Sequence, residues 1–111
     1  MAEFTFDEAS HTLKFKFTGR MDSLVCTKEA PLVEGRLNEA LKSLAASGPP
    51  QGILKAVFDL KGVDYIASAF IRICLSASKA VKKENFSIMN TDPQVQKVFK
   101  IAGLDEQFNV S

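Results

Sequence analysis

Catalysis or metal binding needs reactive side chains within reach of one another, and this 111-residue chain has few to offer. It has one histidine, His11, and two cysteines, Cys26 and Cys74, widely separated along the chain. His11 falls at the tip of a predicted hairpin turn, which makes it a solvated turn residue rather than the base of a Ser–His or Cys–His pair. Metal sites want clustered donors, so free, reduced thiols are the expected state of both cysteines. Asp59 and Asp64 bracket the Leu60-Lys61-Gly62-Val63 turn. They read either as an acid or metal pair, or as a carboxylate that ends a strand followed by one that caps a turn. Gly48 and Gly52 flank Pro49 and Pro50, and prolines lack the amides that a phosphate-cradling loop requires. An enzyme built on this chain would have to use Asp59, Asp64 or Cys74. Cys74, however, falls on a predicted buried helical stripe, where thiols are inert. No catalytic residue, metal or cofactor is expected.

The hydroxyl that stands apart is Ser68, in the strand–turn–helix junction Val63-Asp64-Tyr65-Ile66-Ala67-Ser68-Ala69-Phe70. A serine at a helix start caps the helix. The same position suits a phosphoacceptor, because the first-turn amides and the positive end of the helix favour an anion. A phosphate there would leave the fold standing. Its charge of about −1.5 to −2 would instead alter whatever docks on that surface.

The elements that must hold Ser68 are legible from periodicity. Glu3 to Asp7 reads as a strand with Phe4 and Phe6 on one face, and a polar turn leads to Leu13, Phe15 and Phe17, which alternate with Lys14 and Lys16. Two such strands with a short connection form a hairpin. Gly19-Arg20-Met21-Asp22 breaks the pattern, and a helix is predicted to begin at Thr27 as N-cap, with Pro31 in its first turn. Val33, Leu37, Leu41 and Leu44 form its apolar stripe, and Ser47 to Gly52 ends it as a loop within the domain. Ile53 to Leu60 is nearly continuous in apolar character, as a strand covered on both faces would be. A second helix is predicted from Ser68 to Lys83, with Ile71, Cys74, Leu75, Ser78 and Val81 inside. Phe86 and Ile88 mark a further strand. Asp92-Pro93 starts a third helix as N-cap and first helical residue, Val95, Val98, Phe99 and Ala102 are its buried face, and Gly103 stops it. Residues 107–110 are a candidate last edge strand. The order β-β-α-β-α-β-α predicts a single α/β domain over residues 1–111, with a mixed sheet and helices packed on it.

Charge and composition narrow the partners. Lysine and arginine number 14 against 13 acidic residues, a formal net charge of +1, and the two signs are interspersed. Phosphate-backbone binding needs a concentrated positive field, so no nucleic acid is expected. The first residues lack an export signal, and no apolar run approaches the roughly 18 residues of a membrane span. A cytoplasmic protein with no membrane partner, monomeric or weakly dimeric, is the expectation.

The segment Phe58-Asp59-Leu60-Lys61-Gly62-Val63-Asp64-Tyr65-Ile66-Ala67-Ser68 resembles the central strand and loop of STAS domains, where an Asp-Leu strand end, a short turn and an apolar pair precede Asp-Ser-Ser-Gly. Asp92-Pro93-Gln94-Val95-Gln96-Lys97-Val98-Phe99, with Ala102-Gly103-Leu104-Asp105, is similar to the family's last helix and its Gly-Leu stop. Gly19-Arg20-Met21-Asp22 is similar to its Gly-Glu-Leu-Asp turn. The three matches span almost the whole chain in the right order. The resemblance implies an anti-sigma-factor antagonist: a switch protein that binds an anti-sigma factor doubling as a serine kinase, and frees the sigma factor until phosphate abolishes the contact. A PP2C-type phosphatase would reverse the modification. Ser68 matches the phosphorylated serine, and the kinase-facing surface would comprise Asp22, Asp64, Ala67, Ser68, Ala69, Phe70 and Arg72. Three positions depart from the family wording: Ala67 stands for Asp, Ala69 for the second Ser and Phe70 for Gly. Ala67 cannot accept a hydrogen bond, and Phe70 is either core or an apolar contact on the docking face. The alternative is a STAS scaffold or small-ligand sensor that binds its partner constitutively.

Overall fold

The computed structural model describes residues 2–7, 10–46 and 54–111. β1 (Ala2–Asp7) and β2 (Thr12–Met21) form the expected antiparallel hairpin. β3 (Lys55–Ile66) and β4 (Phe86–Met89) join parallel to it, giving a four-stranded mixed sheet in the order β1-β2-β3-β4. Between them run α1 (Ser23–Ala46) and α2 (Ser68–Val81), and α3 (Pro93–Ile101) follows β4. The element order is the one read from the sequence. The loop expected over Ser47–Gly52 lies outside the described residues.

The sheet has one covered face and one open face. Leu13, Phe15 and Phe17 of β2, Ala56 and Phe58 of β3, and Phe86 and Ile88 of β4 are buried beneath the helices. Phe58 is the hub of this layer, with ring centroids at 5.5 Å to Phe15, 4.9 Å to Phe17, 6.1 Å to Phe70 and 4.9 Å to Phe86. Edge-to-face geometry of this kind adds about 0.5–1.5 kcal/mol per pair beyond area burial. The reverse face carries Glu3, Thr5, Lys14, Lys16 and Lys55, with Val57 half-buried among them. β3 is therefore covered on one face, not the expected two. The apolar run misled because its reverse-face positions are Lys55, Val57 and Asp59, of which Val57 is the one apolar residue and is only half-buried.

Several boundaries differ from the periodic reading. β2 and β3 continue past the predicted breaks, to Met21 and Ile66. The register runs Lys16↔Asp59, Thr18↔Gly62 and Arg20↔Tyr65, so β3 takes an extra residue at each of two bulges. Each bulge resets which side chains point inward, which is why Leu60, Val63 and Ile66 are all buried at a spacing of three. Gly19 accommodates the kink on β2 with φ +86°. A Cβ on Gly62 would lie 2.9 Å from the Thr18 methyl and 3.3 Å from its Cβ. Gly62→Ala is expected to destabilise by about 1–2 kcal/mol through overpacking, with partial recovery in Gly62→Ala/Thr18→Ala, read from urea midpoints.

α1 begins at Ser23, not after Thr27, because the Asp22 carboxylate accepts the Val25 N–H at 2.9 Å and caps the helix there. Thr27 instead donates its hydroxyl to the Ser23 carbonyl at 2.9 Å, and Pro31 lies inside the helix. Val33 and Leu37 are buried and Leu41 packs partly against the core, while the Leu44 side chain lies outside the described part. α2 is turned from its predicted phase. Phe70, Ile73, Cys74, Ala77, Ser78 and Val81 are buried, and Ile71 and Leu75 only partly. The helix packs against both the sheet and α1, so it buries a broad arc rather than a stripe. α3 starts as predicted, with Asp92 accepting the Gln94 N–H at 2.9 Å and Pro93 first. Only Val95 and Phe99 are buried, leaving Val98 and Ala102 exposed. Gly103, at φ +74°, ends it, and the Leu104 N–H reaches back to the Phe99 carbonyl at 2.9 Å. The candidate last strand is a single bridge, Ile88↔Val110, set within turns.

Candidate functional site

Two chain junctions meet at one end of the sheet. Met21 and Ile66 are paired in register, and the Ala67 N–H donates to the Met21 carbonyl at 2.9 Å. The start of α1, capped by Asp22, is thereby fixed beside the start of α2. The two bulges of β3 bring the strand to this point, and its last residues deliver Ser68 as the first residue of α2.

Ser68 is exposed. It does not cap the helix: the N-cap is Ala67, in extended conformation, with no side-chain hydrogen bond to the first turn. The Phe70 N–H turns back to the Ala67 carbonyl at 2.9 Å. The opening amides of α2 thus meet no side-chain acceptor, a setting that favours an anion.

The other predicted surface residues divide clearly. Asp64 and Arg72 are exposed, and Asp22, Ala67 and Ala69 are half-buried. Phe70 does not belong to the surface. Its ring is fully buried, 5.2 Å from Phe17, so of its two expected uses it has the core one and offers no contact to a docking partner. Ala69 and Arg72 line a hollow of about 200 Å³ between α2 and α1, with Thr27 and Glu34 on the facing wall.

Sequence reasoning missed two neighbours. Leu24, in the first turn of α1, is 69% exposed. Tyr65, one residue past Asp64, is 41% exposed and carries the Arg20 guanidinium 4.1 Å above its ring. Both follow once α1 is known to start at Ser23 and β3 to run to Ile66. An exposed tyrosine stacked with an arginine belongs to the side-chain types that most often anchor protein contacts.

Of the groups with catalytic potential, the two carboxylates have different settings and both thiols are buried. Asp59 lies on the open sheet face, held by Lys61 N–H at 3.0 Å and the Asn90 side-chain amide at 3.1 Å, while Asp64 is exposed near the junction. Cys26 and Cys74 are free and buried. Burial, followed by the Asp22 and Glu29 charges, raises the Cys26 thiol above its usual range. Burial raises Cys74 well above it. Both thiols are therefore poor nucleophiles. Among the described residues no group of three or more His, Cys, Asp or Glu is placed to hold a metal, and no helix is long and apolar enough to cross a membrane.

The STAS domain family model matches residues 8–111, and the chain belongs to that family. Among solved structures it is similar to an anti-sigma-factor antagonist (STAS) domain protein from Planctomyces limnophilus, at 20% identity and TM-score 0.73, covering 99% of this chain and 87% of that one. It is similar to the anti-sigma factor antagonist SpoIIAA in its unphosphorylated form, at 12% identity and TM-score 0.71, covering 100% and 86%. It is also similar to the Bacillus cell fate determinant SpoIIAA in the phosphorylated form, at 11% identity and TM-score 0.63, covering 100% and 91%. At these identities the likeness is one of fold. No curated protein matches the chain.

Proposed function

We propose that this STAS domain is a non-enzymatic anti-sigma-factor antagonist acting in the cytoplasm, which binds an anti-sigma factor that is also a serine kinase and is switched at Ser68. The observation that carries this reading is an exposed serine hydroxyl on the first residue of α2, behind an N-cap without a side-chain acceptor. A phosphate on it would be stabilised by opening amides that no cap engages. It would add a strong negative charge beside Asp22 and Asp64 without entering the core. That the fold neighbour SpoIIAA occurs in unphosphorylated and phosphorylated forms supports a fold that tolerates such a switch.

The second reading, a constitutive scaffold or ligand-sensing module, is favoured by Ala67 alone, which removes the carboxylate that the family places just before its serine. The two differ in one experiment. With ATP and the cognate kinase, the chain should gain a single phosphate by mass, absent from Ser68→Ala. Ser68→Asp should bind the kinase about tenfold or more weakly, since like charge and desolvation oppose docking. Equal affinity of the kinase for wild type and Ser68→Asp would leave the scaffold.

A further inference from the structure

Away from the junction, the sheet ends on an edge with no strand beside it among the described residues. β1 pairs with β2 along one side only. Exposed edges are normally guarded by charged side chains, above all lysine, by proline or by a bulge; on β1 the charges are the acids Glu3 and Asp7. β1 contains no proline or lysine, and its register with β2 is unbroken. Its helix-side residues, Phe4 and Phe6, are 42% and 39% exposed. The Arg36 guanidinium lies 3.9 Å over the Phe4 ring, and Phe4 separates two hollows between β1 and α1. One, of about 120 Å³, reaches Phe15 and Val33; the other, of about 220 Å³, reaches Phe6 and Leu13. Together they form an apolar shelf along the edge, able to seat alternate side chains of an extended segment, which recur at about 7 Å.

Charge selects the occupant. The other face of β1 presents Glu3, Thr5 and Asp7, while at the hollows Glu39 is already paired with Arg36 at 3.5 Å, so the selecting charges are those of β1 itself. β2 shows what suits this strand. Its Phe15 and Leu13 lie opposite Phe4 and Phe6, while Lys16 and Lys14 lie opposite Glu3 and Thr5. We propose that the free edge of β1 accepts, by strand addition, an extended segment of a partner protein in which apolar residues alternate with lysine or arginine. Such a segment repeats the chemistry of β2 on the other side of β1, with backbone pairing supplying affinity and the alternation supplying choice. A second copy of the chain fits less well. β1 has no cation to set against Glu3 and Asp7 in any register, and the register that pairs Phe4 with Phe6 sets the two acids against each other, which is destabilising.

The test uses the full chain and a fluorescein-labelled peptide of alternating valine and lysine, followed by anisotropy. A valine–glutamate peptide and a valine–lysine peptide with a central proline are the controls. The lysine peptide should bind about tenfold more tightly than either control. Glu3→Lys/Asp7→Lys should invert the preference between the lysine and glutamate peptides, and the β1 amides should gain protection in hydrogen exchange. Ser68→Ala should bind the lysine peptide as wild type does, which separates this edge from the switch. Equal binding of the linear and proline-containing lysine peptides would overturn strand addition, and does not depend on the variant folding. So would protection mapping away from β1, or self-association of the chain through β1 at the same concentrations.

Discussion

Replacing Phe70 by glycine, the residue that the STAS wording has at this position, is expected to lower the unfolding free energy by about 4–6 kcal/mol. Removing the ring empties the space between Phe17 and Phe58, whose centroids lie 5.2 and 6.1 Å away, and a buried Phe truncated to Ala loses about 3–5 kcal/mol. Glycine inside a helix adds about 1 kcal/mol. Against a total stability of about 5–15 kcal/mol for a domain, this brings the chain close to unfolding. Phe70→Leu, which keeps most of the volume, should lose about 1–2 kcal/mol. Ser68→Ala, two residues away but exposed and not a cap, should change stability by no more than about 0.5 kcal/mol. Urea unfolding followed by circular dichroism separates the three. A loss below about 1 kcal/mol in Phe70→Gly would mean that the ring is not part of the core. The result bears on function, because a core ring at residue 70 would hold α2 from the inside. The departure changes what holds α2 in place and leaves the outer surface to Ser68, Asp64 and Arg72.

The contrast between residues 68 and 70 shows what the sequence could disclose. Alternation in Leu13–Phe17, the apolar run into Leu60 and the Asp92-Pro93 start of α3 each carry their own period or cap, and each was legible. The extensions of β2 and β3 were not. A bulge adds a residue without adding a signal, and the inward set shifts from a spacing of two to three. The start of α1 was not legible: Thr27 reads as its N-cap, whereas Asp22, an equally good cap residue, is the one that caps it. The choice is made by tertiary structure: the Met21 carbonyl is tied to Ala67, so the chain must turn into the helix at once. From that error followed the loss of Leu24, which in a helix starting at Thr27 has no helical face at all. The position of Ser68 was legible because a strand end, an apolar pair and a new helical period bracket it. The burial of Phe70 was not, because helical periodicity fixes spacing but leaves the phase of a broadly buried helix open.

Asp59→Asn is the second effect expected, a loss of about 1 kcal/mol at neutral pH that fades on acidification, because the amide oxygen can still accept both hydrogen bonds and only the carboxylate charge is lost. Asp59 is buried, and burial alone would raise its carboxyl. The Asn90 amide, the Lys61 N–H and the Lys14 and Lys16 charges outweigh it and hold the group below its ordinary value of 3.8. The Lys14 ammonium is 3.7 Å from one carboxylate oxygen, and the two hydrogen bonds fall on the other. Below pH 3.8 the unfolded chain takes up a proton that the folded one still refuses. The network's contribution is therefore complete above that value, and it is lost as pH falls through the lower, folded-state value. The gap between the unfolding midpoints of wild type and Asp59→Asn, constant near neutral pH, should narrow as pH falls below 3.8; a gap that stays constant there would show that the ionised carboxylate is not the source. The same bonds anchor β3 to Asn90, at the exit of β4, just before the bulged stretch that leads to Ser68. Asp59→Ala, which removes the acceptor of both bonds, should therefore also speed amide exchange at residues 66–69. Faster exchange there, with β1 and β2 unchanged, would tie the presentation of the Ser68 hydroxyl to a carboxylate on the opposite face of the sheet.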